Sequence, residues 1–180
     1  MKWSRFRRRS GRRARERALA LCAVLALVAC NYGFEGGGFP SHIHTIYIQP
    51  FENDTPMFDL GQLLFNELLD EIPSNLGVRT AGEQAADAIL RGSIVGYDDV
   101  AQNYRPGAGN QPVPDVLSHE VQIRLQAEII DVRENVIRWE SSGLIGRGSY
   151  RPDTETDEVG KRAAIENLIE QIIDGAQSQW

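Results

Sequence analysis

The side chains that could bind a metal or transfer a proton are few and poorly grouped. His42 and His44 share one face of a predicted strand, and His119 begins a later one. No carboxylate or thiolate is spaced to complete a metal-binding set with them, so the sequence predicts no metal site. Asp98 and Asp99 are adjacent, but neighbouring strand residues point to opposite faces. We therefore expect them to be separate acids without a fixed partner.

Other catalytic patterns are also missing from the sequence. Gly36–Gly38 precede a predicted strand, whereas a phosphate-binding loop leads into a helix. No serine has the strand-to-helix context of a nucleophile elbow. The sequence thus predicts no catalytic residue, no cofactor and no enzyme.

One residue does indicate covalent chemistry, and it is Cys30. Nine basic residues lie within residues 1–17, and the twelve uncharged residues Ala18–Ala29 follow them. Twelve apolar residues suit a signal peptide, whereas a membrane-spanning helix needs about 20. The run ends in Leu27-Val28-Ala29-Cys30, which resembles a bacterial lipobox. The resemblance implies cleavage before Cys30, lipid on its sulfur and an acyl chain on the new amino terminus. Several chains would hold the protein stably on a membrane.

Removal of this leader changes the charge of the chain. Residues 1–29 contain nine of the 19 basic and one of the 25 acidic side chains, which leaves a net charge of −14. So acidic a protein is not expected to bind nucleic acid. Cys22 leaves with the leader and Cys30 is the lipid site, so no disulfide is expected.

The remaining chain is expected to be a tether followed by one domain. We predict a signal peptide over residues 1–29, a lipidated cysteine with a glycine-rich tether over 30–41, and a single α+β domain over 42–180. Apolar stripes at helical spacing predict one helix that ends at Pro73 and another over about 156–176. The order β-α-β-β-β-β-α predicts a two-layer sandwich, with two helices on one face of a mixed four- to five-stranded sheet.

The strongest local pattern is a hairpin. Apolar and polar residues alternate strictly from Val121 to Ile129, and Val136 to Ile145 follows after a short turn. The register that collects the apolar groups on one face pairs Ile130 with Val136. The same register pairs Ile129 with Ile137, Glu128 with Arg138, Ala127 with Trp139 and Val121 with Ile145.

Between two predicted strands lies an irregular segment, Tyr104–Asp115. It contains three prolines and two glycines, which disfavour both helix and sheet interior. Long loops in compact domains are often functional, and Tyr104 and Arg105 are residue types common at interfaces. We predict an exposed loop that contacts a partner; a tolerated insertion is the alternative.

Several stretches of the mature chain resemble the lipopolysaccharide-assembly lipoprotein family (LptE-like). They are Cys30-Asn31-Tyr32-Gly33-Phe34, Ile46-Tyr47-Ile48-Gln49-Pro50-Phe51-Glu52-Asn53, Ala86-Asp87-Ala88-Ile89-Leu90-Arg91-Gly92 and Val136-Ile137-Arg138-Trp139-Glu140. The resemblance implies an outer-membrane lipoprotein on the periplasmic side. It would plug a large β-barrel translocon (LptD-like), help it assemble and help it insert lipopolysaccharide.

Two alternatives stay open at this point. Arg124 and Arg138 are expected on the sheet face away from the helices, where they could contact lipopolysaccharide phosphate. Alternatively, Arg138 pairs with Glu128 and Arg124 is solvated. At the level of function, the alternative to a barrel plug is a periplasmic lipoprotein that regulates a cell-wall synthase or another envelope complex.

Overall fold

A computed structural model describes residues 40–105 and 115–178 of the chain, all within one compact unit that spans residues 37–180. These described residues form six strands, two α-helices and a short 3-10 turn. In chain order they are β1 (Thr45–Ile48), β2 (Glu52–Asn53), α1 (Asp59–Leu76), β3 (Arg79–Thr80), the 3-10 turn (Glu83–Ala85), β4 (Ala88–Arg105), β5 (Asp115–Asp131), β6 (Val136–Tyr150) and α2 (Asp157–Ser178). Among them, no helix is long and apolar enough to cross a membrane.

The strands form one mixed sheet in the order β3-β1-β4-β5-β6, and the short β2 pairs with β4 beside β1. The contacts of β1 with β3 and β4, and of β2 with β4, are parallel, while β4-β5-β6 is an antiparallel meander. The predicted α+β sandwich is therefore confirmed. The sequence did not reveal β2, because a two-residue strand has no periodicity to detect.

Both helices contribute to one core with the inner face of the sheet. The buried positions of α1 are Leu60, Leu64, Leu68, Ile72 and Leu76, at helical spacing. From α2 the core receives Ala164, Ile165, Leu168, Ile169, Ile172 and Ala176, and from β5 it receives Val121, Ile123, Leu125, Ala127 and Ile129. The period-two pattern of β5 correctly assigned its inner face.

The expectation that Pro73 ends the first helix is wrong. Pro73 lies inside α1, and the helix continues to Leu76. A proline removes one amide donor, but Leu76 still packs in the core. The end comes at Gly77, whose φ of 69° is left-handed and whose N–H donates to the Pro73 carbonyl. This is a common glycine cap of a helix C-terminus.

The predicted register of the β5–β6 hairpin is also wrong. Val136 pairs with Asp131, Ile137 with Ile130, Trp139 with Ile129, Glu140 with Glu128 and Gly148 with Val121. The register shifts between Ile129 and Ile130 and again between Leu125 and Ala127, where β6 carries extra residues. Because β-bulges insert residues without changing the apolar pattern of the partner strand, alternation alone could not locate them.

Helix α2 approaches β6 so closely that only glycines fit at the contact. A Cβ at Gly146 would lie 2.1 Å from the Ala164 carbonyl oxygen, and a Cβ at Gly148 would lie 2.1 Å from that of Gly160. Gly160 in turn lies against the side chains of Tyr150 and Val121. The helix therefore rests directly on the backbone of the strand.

The same helix also covers part of the sheet edge that β6 forms. Asn167 Oδ1 accepts a hydrogen bond from the Arg147 backbone N–H at 3.4 Å, and Gln171 Nε2 donates to the Ile145 carbonyl at 3.1 Å. These two amide side chains satisfy backbone groups that a foreign strand would otherwise pair with.

Replacement of Gly148 by alanine should test the close contact. The new Cβ would collide with the backbone of α2, and overpacking of this kind costs about 1–3 kcal/mol. Urea unfolding of the soluble domain, followed by circular dichroism, measures the loss. Gly143→Ala in the same strand is the control, because no atom lies within 4 Å of its added Cβ. Equal stability of the two variants would contradict the contact.

Candidate interaction surface

The sheet face opposite the helices is polar, and its arginines already have carboxylate partners. Arg124 Nη1 donates to Asp98 Oδ2 at 2.5 Å, and both side chains are about half exposed. Arg91 Nε donates to Glu128 Oε1 at 2.6 Å. These are cross-strand pairs between β4 and β5, and they neutralise much of the positive charge on this face.

An open groove of about 590 Å³ lies beside one of these pairs, among β2, β4, β5 and β6. Arg91 and Glu128 line it together with Glu52, Glu140 and Ser142. Three carboxylates against one guanidinium make it acidic. It therefore does not favour a phosphate-bearing ligand.

The structure places Arg124 as expected but gives it a partner that the sequence did not indicate. It stands on the helix-free face beside Gly96, where a Cβ would meet its guanidinium at 2.3 Å. Asp98 was expected to have no partner, and that expectation is wrong for the same reason. The bulge between Ile94 and Gly96 sets which β4 residue faces Arg124, and a bulge cannot be read from the sequence.

Arg138 has a different partner from the predicted Glu128. Its guanidinium donates to Asp131 Oδ2 from Nε at 3.1 Å and from Nη2 at 2.9 Å, and it also pairs with Glu134. The Arg138 side chain is only 22% exposed, and the Asp131 side chain is fully buried. Arg138 therefore closes the β5–β6 turn.

Asp131 also binds the segment through which the chain enters the domain. His42 Nε2 lies 2.7 Å from Asp131 Oδ2, and the Glu134 N–H donates to Oδ1 at 3.0 Å. Burial raises the pKa of Asp131, but the Glu134 amide, Arg138 and His42 together outweigh burial and lower the pKa to about 2. Asp131 is thus held as a buried anion.

A second carboxylate fastens the same segment. Asp87 Oδ2 accepts hydrogen bonds from the backbone N–H groups of His44 and Thr45 and from the Thr45 hydroxyl, at 2.9–3.0 Å. These bonds, that from the His44 amide above all, lower the pKa of Asp87. Neither acid was expected from the sequence. Asp87 directly precedes β4 and Asp131 is the last residue of β5, and this position at a strand end is the signal that could have indicated them.

The two histidines of the entry segment do not act together. His42 is turned to Asp131, whereas His44 is exposed and contributes its backbone amide. His42, Asp131 and Glu134 do bring potential ligand atoms within 4.8 Å of one another. The Arg138 guanidinium already pairs with both carboxylates, however, so the positive charge that a metal ion would supply there comes from Arg138.

A further cluster joins the three long strands near the loop that was predicted to bind a partner. Asp99 Oδ1 lies 2.7 Å from His119 Nδ1, and Asp99 Oδ2 accepts a hydrogen bond from the Tyr150 hydroxyl at 2.8 Å. Burial, and secondly the bond to Asp99, raise the pKa of Tyr150 to about 12. Asp99 therefore has fixed partners, contrary to expectation. It bridges β5 and β6 across the end of the sheet.

The loop itself is shorter than expected. Tyr104 pairs with Val116 and Arg105 with Asp115, so these residues extend the β4–β5 ladder. The expectation that they lie in an irregular loop is wrong, because the prolines begin only at Pro106. Residues 106–114 lie outside the described part of the chain, as does Cys30.

Stability as a function of pH should reveal the buried anion. The lowered pKa means that Asp131 stabilises the fold above its ordinary pKa, near 4, and that this stabilisation is lost as the pH falls through about 2. Asp131→Asn should therefore lower the free energy of unfolding by about 2 kcal/mol at neutral pH, and this difference should shrink on acidification. Chemical unfolding at several pH values measures it. Glu134→Gln, which removes the half-exposed partner of Arg138, is the control and should cost less than about 1 kcal/mol. A loss that does not change with pH would contradict this account.

Comparison with known proteins places the chain in a family. The solved structures that resemble it include rare lipoprotein B from Shewanella oneidensis, with 14% identity and a TM-score of 0.33 over 76% of this chain and 90% of that one. Lipoprotein GNA1162 from Neisseria meningitidis has 11% identity and a TM-score of 0.45 over 73% of this chain and 99% of that one. Protein CT253 from Chlamydia trachomatis has 8% identity and a TM-score of 0.49 over 76% and 99%. No curated protein matches significantly.

These structural likenesses are too low to bear on function. The family model for LptE, described as lipopolysaccharide-assembly, matches residues 43–178, which is nearly all of the folded domain. The match covers all six strands and both helices, and this chain therefore belongs to the LptE lipopolysaccharide-assembly family.

Proposed function

We propose that this chain is an outer-membrane lipoprotein that plugs the β-barrel translocon of lipopolysaccharide assembly, an LptD-like partner, without catalysing a reaction. The observation that carries the proposal is the long polar face of β4, β5 and β6. These strands have 18, 17 and 15 residues, and the longest, in which two bulges each absorb a residue, extends for about 50 Å. The hydrocarbon core of a bilayer is about 30 Å thick, so such a strand is long enough to run through a barrel that spans it.

The chemistry of that face fits a barrel interior. Arg91 and Arg124 are each paired with a carboxylate of the neighbouring strand, and the groove is lined by further carboxylates and hydroxyls. The lumen of a large barrel is polar, and a plug must fill it without presenting lipid-like surface. The alternating apolar side chains of β5 from Val121 to Ile129 instead face the two helices.

Arg124 is the residue that we propose for contact with lipopolysaccharide phosphate. It is half exposed on the open face and has one carboxylate partner, so a phosphate could compete with Asp98 for it. Arg138 is less suited to that role. Its guanidinium is mostly covered, and its removal from Asp131 would leave a buried anion without its cation.

The anchor makes a direct prediction. Cys30→Ser should release the protein from the membrane without unfolding the domain, because the domain core begins after the tether at Ile43. Membrane fractionation and the intact mass of the mature chain measure retention and acylation. The unsubstituted protein should begin at residue 30 and carry acyl mass. A native protein that is soluble and unmodified would contradict the lipoprotein assignment.

The loop between β4 and β5 makes the second prediction. Replacement of residues 106–114 by a short Gly/Ser linker should leave the melting temperature nearly unchanged, because the ladder closes at Arg105 and Asp115. The variant should lose co-purification with the barrel in mild detergent and make the outer membrane permeable to large antibiotics.

Two outcomes would contradict this assignment. A stable loop variant that still co-purifies with the barrel and keeps the permeability barrier intact would remove the loop from the interface. Co-purification of the unsubstituted protein with an inner-membrane cell-wall synthase, and with no barrel, would favour the alternative function.

A further inference from the structure

The chain enters the domain at a fixed point beside the β5–β6 turn. The Ile43 N–H donates to the Pro40 carbonyl at 2.8 Å, and His42 contacts Asp131 at the last position of β5. Asp87 holds the next two residues through their backbone amides. Whatever tethers the protein therefore pulls on this end of the sheet.

The length of the tether keeps that end near the membrane. Nine residues lie between Cys30 and Pro40, and this length of chain spans at most about 35 Å when fully extended. The longest distance that this length of chain can bridge is therefore shorter than the long strands. The other end of the long strands lies about 50 Å away, so the two ends differ in their access to the bilayer.

Three exposed apolar side chains lie close together at the end beside the tether, on either side of the exposed polar residues 133–135. Val132, Val136 and Ile137 are 44%, 41% and 52% exposed and fall within six consecutive residues around the turn. Ile137 also ends a row of directly paired apolar residues on the helix-free face, formed across four strands by Tyr47, Ile89, Ile130 and Ile137. The next pair on the same face, two residues further along each strand, is polar and consists of Arg91 and Glu128.

We infer that the β5–β6 turn, through Val132, Val136 and Ile137, inserts into the surface of the lipid bilayer that holds the anchor. This inference rests on the lipid anchor of the proposed function. A polar barrel lumen would leave these side chains against water or polar groups, whereas the bilayer interface removes them from water. The turn thus forms a second membrane contact beside the acyl chains, and it fixes the orientation of the domain.

Depth measurements on the acylated mature protein test the inference. Its only thiol is the lipidated one, so Val136→Cys introduces a single site for an environment-sensitive fluorophore. The protein is reconstituted in vesicles of phosphatidylethanolamine and phosphatidylglycerol, with and without a spin-labelled lipid that quenches at the interface. Val100→Cys is the matched control, because Val100 is similarly exposed, at 46%, toward the opposite end of the sheet.

The label at position 136 should emit at shorter wavelength than in water and be quenched severalfold more than the label at 100. Val132→Ser combined with Ile137→Ser should remove most of this difference while the protein stays on the vesicles. Vesicle-bound, acylated protein with a water-like label at 136 would overturn the turn contact and leave the anchor intact. Equal quenching at both positions would also overturn it. Unacylated protein free in solution would overturn the proposed function, and this inference with it.

Discussion

The close approach of α2 to β6 is the constraint on which the rest of the architecture depends. Gly146 and Gly148 leave no side chain between strand and helix, so the two backbones are in contact over about one turn of α2, from Gly160 to Ala164. That distance brings Leu168 and Ile172 into the core and places Asn167 and Gln171 over the edge of β6. The contact between α2 and β6 therefore both completes the core and covers the edge of the sheet that β6 forms.

Because both helices occupy the inner face, the outer face must be stable in contact with water or a polar partner. Cross-strand ion pairs serve this purpose along β4 and β5, where Arg91 and Arg124 each meet a carboxylate. Exposed pairs of this kind add little stability, so they are better understood as the surface chemistry of a contact face than as supports of the fold. A stronger ionic contact is the buried one at Asp131, which holds the hairpin turn and the point where the chain enters the domain.

The sequence was sufficient for the elements and their faces, and it failed where single residues shift. Alternation in β5 and the stripes of both helices assigned the core correctly, because side-chain periodicity follows directly from helix and strand geometry. The sequence predicted the wrong partner for Arg138 and no partner for Asp98. The reason is that two bulges in β6 and one near Gly96 in β4 shift the strand register. Partners of charged residues depend on such offsets, and so the candidate contact surface was less predictable than the fold.

The two ends of the long strands differ in their side chains, and this asymmetry connects the proposed plug with the proposed membrane contact. The β5–β6 turn carries the chain entry, a buried ionic cluster and exposed valines and an isoleucine, which suit a rigid end held at a lipid surface. The opposite end carries the Asp99–His119–Tyr150 cluster and the connection between β4 and β5. If the first end rests on the leaflet that holds the anchor, a strand of about 50 Å directed along the membrane normal places the second end beyond a hydrocarbon core of about 30 Å. If the strands instead lay parallel to the membrane plane, they would not extend into a barrel that spans the membrane. The fixed entry point and the apolar turn therefore favour the upright arrangement that a plug requires.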